Sequence, residues 1–135
     1  MTTLLVYSED PAFRDRVRLA VGSSPAAGID SLVYLEAADG GSVIDAVDRR
    51  VVDLLVLDGE AWPTGGMGIS RELKNSRDDC PPIIVVVGRD DDRWLGKWSQ
   101  ADAVLVRIDT VALRAAVVRL LTDRRVTTAT TRESL

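Results

Sequence analysis

Asp58 is the residue of this chain best placed to do chemistry. It closes the run Val51-Val52-Asp53-Leu54-Leu55-Val56-Leu57-Asp58, which is mostly apolar and stops on a carboxylate. An apolar run of this length predicts a strand buried on both faces, as in a parallel sheet. In open parallel sheets, binding sites lie just past the carboxyl ends of the strands. The loop Gly59-Glu60-Ala61-Trp62-Pro63-Thr64-Gly65-Gly66-Met67-Gly68 follows at once and marks that end as a candidate site. The chain has no histidine. That excludes imidazole acid–base chemistry, Ser–His–Asp triads and most transition-metal sites. The single cysteine, Cys80, cannot form an internal disulfide, in keeping with a reducing compartment.

The elements that must position Asp58 alternate along the chain. Strands are expected at Thr3–Tyr7, Ile29–Glu36, Asp53–Leu57, Ile83–Val87 and Ala103–Val106. Helices are expected at Pro11–Val21, from Gly40-Gly41-Ser42 to about Arg50, and at Gly68–Ser76, Asp90–Ser99 and Asp109–Leu121. Asp10 before Pro11 reads as an N-cap followed by proline at the first helical position. Phe13, Val17, Ala20 and Val21 share one face of that helix. The second strand is the most mixed in polarity and is expected near a sheet edge. Five such units in order imply an α/β fold with a parallel sheet and helices on both faces.

One domain is expected over residues 1–122, with 123–135 as a flexible or partner-ordered tail because Thr and Arg there show no apolar period. A net charge of −4 and a pI of about 4.8 argue against a grip on nucleic-acid phosphates. No apolar stretch approaches the roughly 20 residues needed to span a bilayer, and no signal peptide is visible. A cytoplasmic protein is therefore expected, without direct membrane insertion.

From Leu4 to Leu121 the chain resembles the receiver domain of bacterial two-component response regulators. The likeness rests on Leu4-Leu5-Val6-Tyr7-Ser8-Glu9-Asp10-Pro11, on Asp53–Asp58 with Pro63 and Gly68 behind it, on Pro82–Gly88, and on Gln100–Arg107. It implies a flavodoxin-like (CheY-like), doubly wound five-stranded sheet of order 2-1-3-4-5, with five helices on two faces. It also implies that Asp58 holds the phospho-acceptor position and that Glu9, Asp10 and Asp58 would hold Mg²⁺. The chain departs from the family where the chemistry is done. Ser8 stands at one acid position and Val87 at the hydroxyl position. Arg107 replaces the lysine and Ile108 the proline after it, so a cis peptide is not expected there. Pro63 lies one residue farther from Asp58 than in the family.

Each of these residues also has a plainer reading. Glu9 and Asp10 could serve only as helix cap and dipole partners, Val87 could be core, and Glu60 could be solvated. Arg107 is expected to pair with Asp58 and Glu9, since a guanidinium matches carboxylates well. Trp94 and Trp98, four apart on the fourth helix, share a face that could meet either the sheet or a partner. Trp62, in a Gly/Pro loop, is expected to touch a partner or cover the site.

The resulting expectation is an atypical, stand-alone receiver. It would be non-enzymatic, need no cofactor, and act as a phosphorylation-independent protein-interaction module. The chain is also similar to an orphan response regulator that is an accessory component of respiratory complex I in high-GC bacteria. That likeness implies a partner of that kind and a peripheral place at the inner membrane, held by protein contacts. The other reading is a conventional response regulator, phosphorylated on Asp58 by a histidine kinase with Mg²⁺. A flavin carrier fits poorly. The first strand–helix turn lacks a Ser/Thr/Gly-rich phosphate cradle, and Pro11 removes one donor.

Overall fold

The computed structural model describes residues 1–134, with side chains through Arg124. Five strands form one parallel sheet: β1 (Thr2–Tyr7), β2 (Leu32–Ala37), β3 (Leu54–Asp58), β4 (Ile83–Val87) and β5 (Ala103–Val106). Their order is β2-β1-β3-β4-β5, the doubly wound arrangement expected. The central strands β3 and β4 are buried along their whole length, which explains their unbroken apolar sequence. The register sets Leu57 beside both Tyr7 and Val85, and Asp58 beside Val86.

The helices are α1 (Pro11–Val21), α2 (Gly40–Asp48), α3 (Gly66–Ser76), α4 (Arg93–Trp98) and α5 (Thr110–Ser134). They cover the sheet from two sides and divide its core in two. Leu4, Val6, Leu54, Val56, Ile84 and Val86 face α1 and α5. Leu5, Tyr7, Leu55, Leu57, Ile83, Val85 and Val87 face α2 and α3. This is the period-2 alternation of a strand, with both faces apolar.

The starts of the helices follow side-chain chemistry. The Asp10 carboxylate accepts from the Ala12 N–H at 2.9 Å, and Pro11 follows as the first helical residue. Asp39 caps α2 by accepting from the Ser42 N–H. Asp109 caps α5 by accepting from the Val111 and Ala112 N–H groups. Each cap satisfies donors that a helix start leaves free.

Several boundaries differ from expectation. The Ile29 N–H is taken by Ala26 in a turn, so β2 begins only at Leu32. Three consecutive aspartates, Asp90–Asp92, form a 3₁₀ turn, with Asp90 paired to Arg93; α4 proper is correspondingly short. Helix α5 does not stop at Leu121, since its backbone is helical through Ser134. The boundary expected at residue 122 therefore falls inside a helix. The Arg124 guanidinium ties this helix beneath the sheet by donating to the Asp53 carbonyl at 2.7 Å. The side chains of the expected tail after Arg124 lie outside the description.

Candidate functional site

The site lies at the carboxyl ends of β1, β3 and β4. Asp58 ends β3 and is only 8% exposed. One carboxylate oxygen accepts from the Ser8 hydroxyl at 2.7 Å, and the other from the Glu60 N–H at 2.9 Å. Ser8 is fully buried just after β1, and its Oγ also accepts from the Asp10 N–H at 3.0 Å. Arg14 on α1 fixes the same turn by donating to the Ser8 carbonyl at 2.6 Å. Burial pushes the Asp58 carboxyl above its ordinary pKa, with Glu9 and Glu60 adding in the same direction. The bonds from Ser8 and the Glu60 amide oppose that rise without reversing it.

A cleft of about 320 Å³ opens over Asp58. Glu9, Asp10, Arg16 and Arg107 stand around it, with Phe13, Val86, Val87 and Ile108 as apolar wall. The structure thus brings most of the expected site residues to one place, but not into the expected pairings. Arg107 has an exposed side chain and makes no ion pair with Asp58 or Glu9 among the described residues. Its backbone is left-handed (φ 62°), and its N–H donates to the Val87 carbonyl at 2.7 Å. That conformation directs the chain from β5 toward the start of α5 and leaves the guanidinium in solvent. Ser8 provides the direct side-chain bond to Asp58 that was expected from Arg107.

The acids expected to hold Mg²⁺, Glu9, Asp10 and Asp58, line this same cleft without forming a tight cluster. Among the described residues, no three acids are grouped so as to hold a metal ion. Glu9 is exposed, the Asp10 carboxylate is engaged as the α1 cap, and one Asp58 oxygen is taken by Ser8. Val87 is fully buried in the sheet core, and Ile108 packs against the α1–α5 core. The peptide bond before Ile108 is trans; among the described residues the cis bond joins Trp62 to Pro63 in the β3–α3 loop.

Two site residues were not legible in advance. Tyr7 is almost fully buried at the end of β1, yet its hydroxyl donates to the Thr64 carbonyl at 2.5 Å and pins the β3–α3 loop. A tyrosine closing an otherwise aliphatic strand was the available signal, because a buried phenol needs a partner. Glu60 was expected to be solvated. Although its side chain is exposed, its carboxylate accepts from the Gly88 N–H at 2.9 Å and bridges the loops after β3 and β4.

The three tryptophans sit apart from the core. Trp62 is 77% exposed, Trp94 65% and Trp98 47%. Trp98 carries the Arg71 guanidinium 4.5 Å above its ring, and Arg71 also donates to the Trp98 carbonyl. The residue of α4 that packs on the sheet is Gly96, which lies directly on Val104 of β5.

Comparison with known proteins bears on the family directly. The chain is 45% identical over 119 residues to an uncharacterized response regulatory protein of Mycobacterium tuberculosis, found in strains CDC 1551 / Oshkosh and H37Rv. The match covers 87% of this chain and 90% of that protein. This chain belongs to the response regulator family. Its fold agrees with solved receivers. The receiver domain of the Francisella response regulator 1452 superposes with a TM-score of 0.77 at 16% identity, covering 92% of this chain and 99% of that one. The Thermotoga maritima response regulator solved with Mg²⁺ and beryllofluoride gives 0.73 at 22% identity, covering 89% and 99%. No family model matches the chain. Among the described residues of this receiver, no helix is long and apolar enough to cross a membrane.

Proposed function

We propose that this receiver is a protein-interaction module whose binding does not depend on phosphorylation of Asp58. The observation that carries this reading is the Ser8–Asp58 hydrogen bond. It gives the buried carboxylate a neutral internal partner where metal-assisted chemistry needs a second acid. Three further features support it. Val87 offers no hydroxyl to follow a new charge, Arg107 points to solvent, and burial disfavours the charged form of Asp58. The module binds rather than catalyses, and it needs no cofactor.

Its partner is another protein, met through exposed aromatic surface at Trp62, Trp94 and Trp98. The partner class favoured by the orphan regulator that this chain resembles is respiratory complex I. The module would then sit at the cytoplasmic side of the membrane through protein contacts. Affinity purification at native salt tests the partner. Co-elution of complex I subunits is expected; a different stoichiometric protein would overturn that assignment.

The second reading, a phospho-acceptor for a histidine kinase, draws on one observation. Asp58 still lines an open cleft beside Glu9 and Asp10. Acetyl phosphate with Mg²⁺ followed by intact-mass measurement separates the two readings. No adduct is expected; an adduct present in the wild type and lost in Asp58→Asn would establish the second.

A further inference from the structure

Glu60 stands one residue beyond Gly59, on the loop leaving β3. Its backbone N–H points back to Asp58 at 2.9 Å, while its carboxylate reaches across to the Gly88 N–H, also at 2.9 Å. The fit at Gly88 is close. A Cβ built on that glycine would lie 3.1 Å from Glu60 Oε1 and 3.3 Å from its Cδ and Cγ, so the bare glycine backbone lets the carboxylate lie against it. The neighbouring Gly59 N–H is already used by the Val86 carbonyl at 2.8 Å. Gly88 therefore presents the N–H at this edge of the cleft, and a charged oxygen of the chain itself fills it. Exposed Arg16 and Arg107 line the same cleft, together with the acids Glu9, Asp10 and Asp58.

We propose that the Glu60 carboxylate is a built-in anion that latches the β3–α3 loop to the end of β4 and keeps external oxyanions off the Gly88 amide. This deepens the phosphorylation-independent reading and rests on it for its biological sense. The physics is that of a charge-assisted hydrogen bond made within the chain. An external anion must displace a tethered competitor whose effective concentration is high. It must also approach the acidic side chains of Glu9 and Glu60 that line the cleft. The latch fixes two loops without a ligand, so the surface they shape is already in its final form before any partner arrives.

The test follows the Gly88 amide by NMR in the full-length, isotope-labelled chain, without phosphodonor. Hydrogen exchange at Gly88 is expected to speed up by about ten- to a hundredfold in Glu60→Ala, the range for a hydrogen bond to a charged group. Sulfate, used as the probe, is expected to shift the Gly88 resonance saturably in Glu60→Ala and not in the wild type. Glu60→Gln keeps an acceptor oxygen without the charge and is expected to fall between them in exchange. Equal Gly88 exchange in wild type and Glu60→Ala would overturn the latch, as would an equal sulfate response. Unchanged amide resonances in β1 and β5 would show that the variants are folded. The acetyl-phosphate measurement on Asp58 is separate: an adduct there would overturn the interaction-module reading and leave the Gly88 result standing.

Discussion

The Asp58 cleft and the α4–β5 flank lie on the same sheet but solve opposite problems. In the cleft, polar groups answer one another. Ser8 and the Glu60 amide bond Asp58, Tyr7 bonds Thr64, Glu60 bonds Gly88, and Arg14 bonds the Ser8 carbonyl. On the flank, α4 is short, β5 is only half-buried, and Trp94 and Trp98 stand in solvent. A site whose polar groups are internally satisfied is stiff and has little need of a ligand. A flank that leaves large aromatic surface exposed is suited to a partner. Under the proposed function, the aromatic flank is the surface that meets a partner, and the Asp58 cleft is part of the scaffold behind it.

That contrast can be broken from either side. The largest loss of stability is expected from Gly66→Ala. Its Cβ would lie 2.7 Å from the Asp58 carbonyl and 2.8 Å from Leu57 Cβ, so backbone must move. A loss of about 3 kcal/mol or more is expected, the upper end for overpacking, read as a fall in the urea midpoint. On the flank, Gly96→Ala sets a Cβ 2.4 Å from Val104 Cγ1 and 2.5 Å from Cγ2 of a stiff valine, so the short helix α4 must lift from the sheet edge. A smaller loss of about 1–2 kcal/mol is expected there, with the Asp58 site unchanged by NMR.

Ser8→Ala removes a buried donor to Asp58 and an acceptor for the Asp10 N–H. The expected cost near neutral pH is about 1–3 kcal/mol. The deficit should narrow in acid, where Asp58 is protonated and no longer needs the donor for its charge. Asp58→Asn should act in the opposite sense. Burial raises the folded-state pKa of Asp58 above its unfolded value, so the folded chain keeps a proton that the unfolded chain releases. The contribution of this group is fully present below the unfolded pKa and is lost as pH rises through the raised folded pKa. Asp58→Asn should therefore melt at or above the wild-type temperature near pH 7 and lose this part of the pH dependence. A variant that melts well below the wild type across that window would show that the carboxylate stabilises the fold.

The smallest effect on the fold is expected from Trp94→Ala, within about 0.5 kcal/mol, because the side chain is exposed. The same change should weaken partner binding by about 2 kcal/mol or more if Trp94 is a hot spot. Unchanged partner affinity in a Trp94→Ala, Trp98→Ala double variant would show that the flank is not the partner-binding surface.

Apolar runs, turns and caps in the sequence were enough to establish a parallel α/β sheet with helices on both faces. The βα alternation, the edge position of β2 and the Asp10 cap of α1 are local or periodic features, and each is present; the order 2-1-3-4-5 came from the likeness to receivers and is present too. The position of Asp58 followed in the same way, since a buried parallel strand ending on a carboxylate can place that group only at the strand's carboxyl end. Its pairings could not be read in advance. Ser8 and Asp58 are 50 residues apart, Tyr7 and Thr64 57, and Glu60 and Gly88 28. Charge complementarity favoured Arg107 as the partner of Asp58, but its left-handed backbone left the guanidinium outside. Hydrogen bonds are short-ranged and directional, so their partners are chosen by backbone geometry that exists only once the sheet and its loops have formed. The sequence by itself determined the sheet and where its carboxylate would sit. Only the tertiary structure decided that a serine and a neighbouring amide, rather than the arginine, bond that carboxylate.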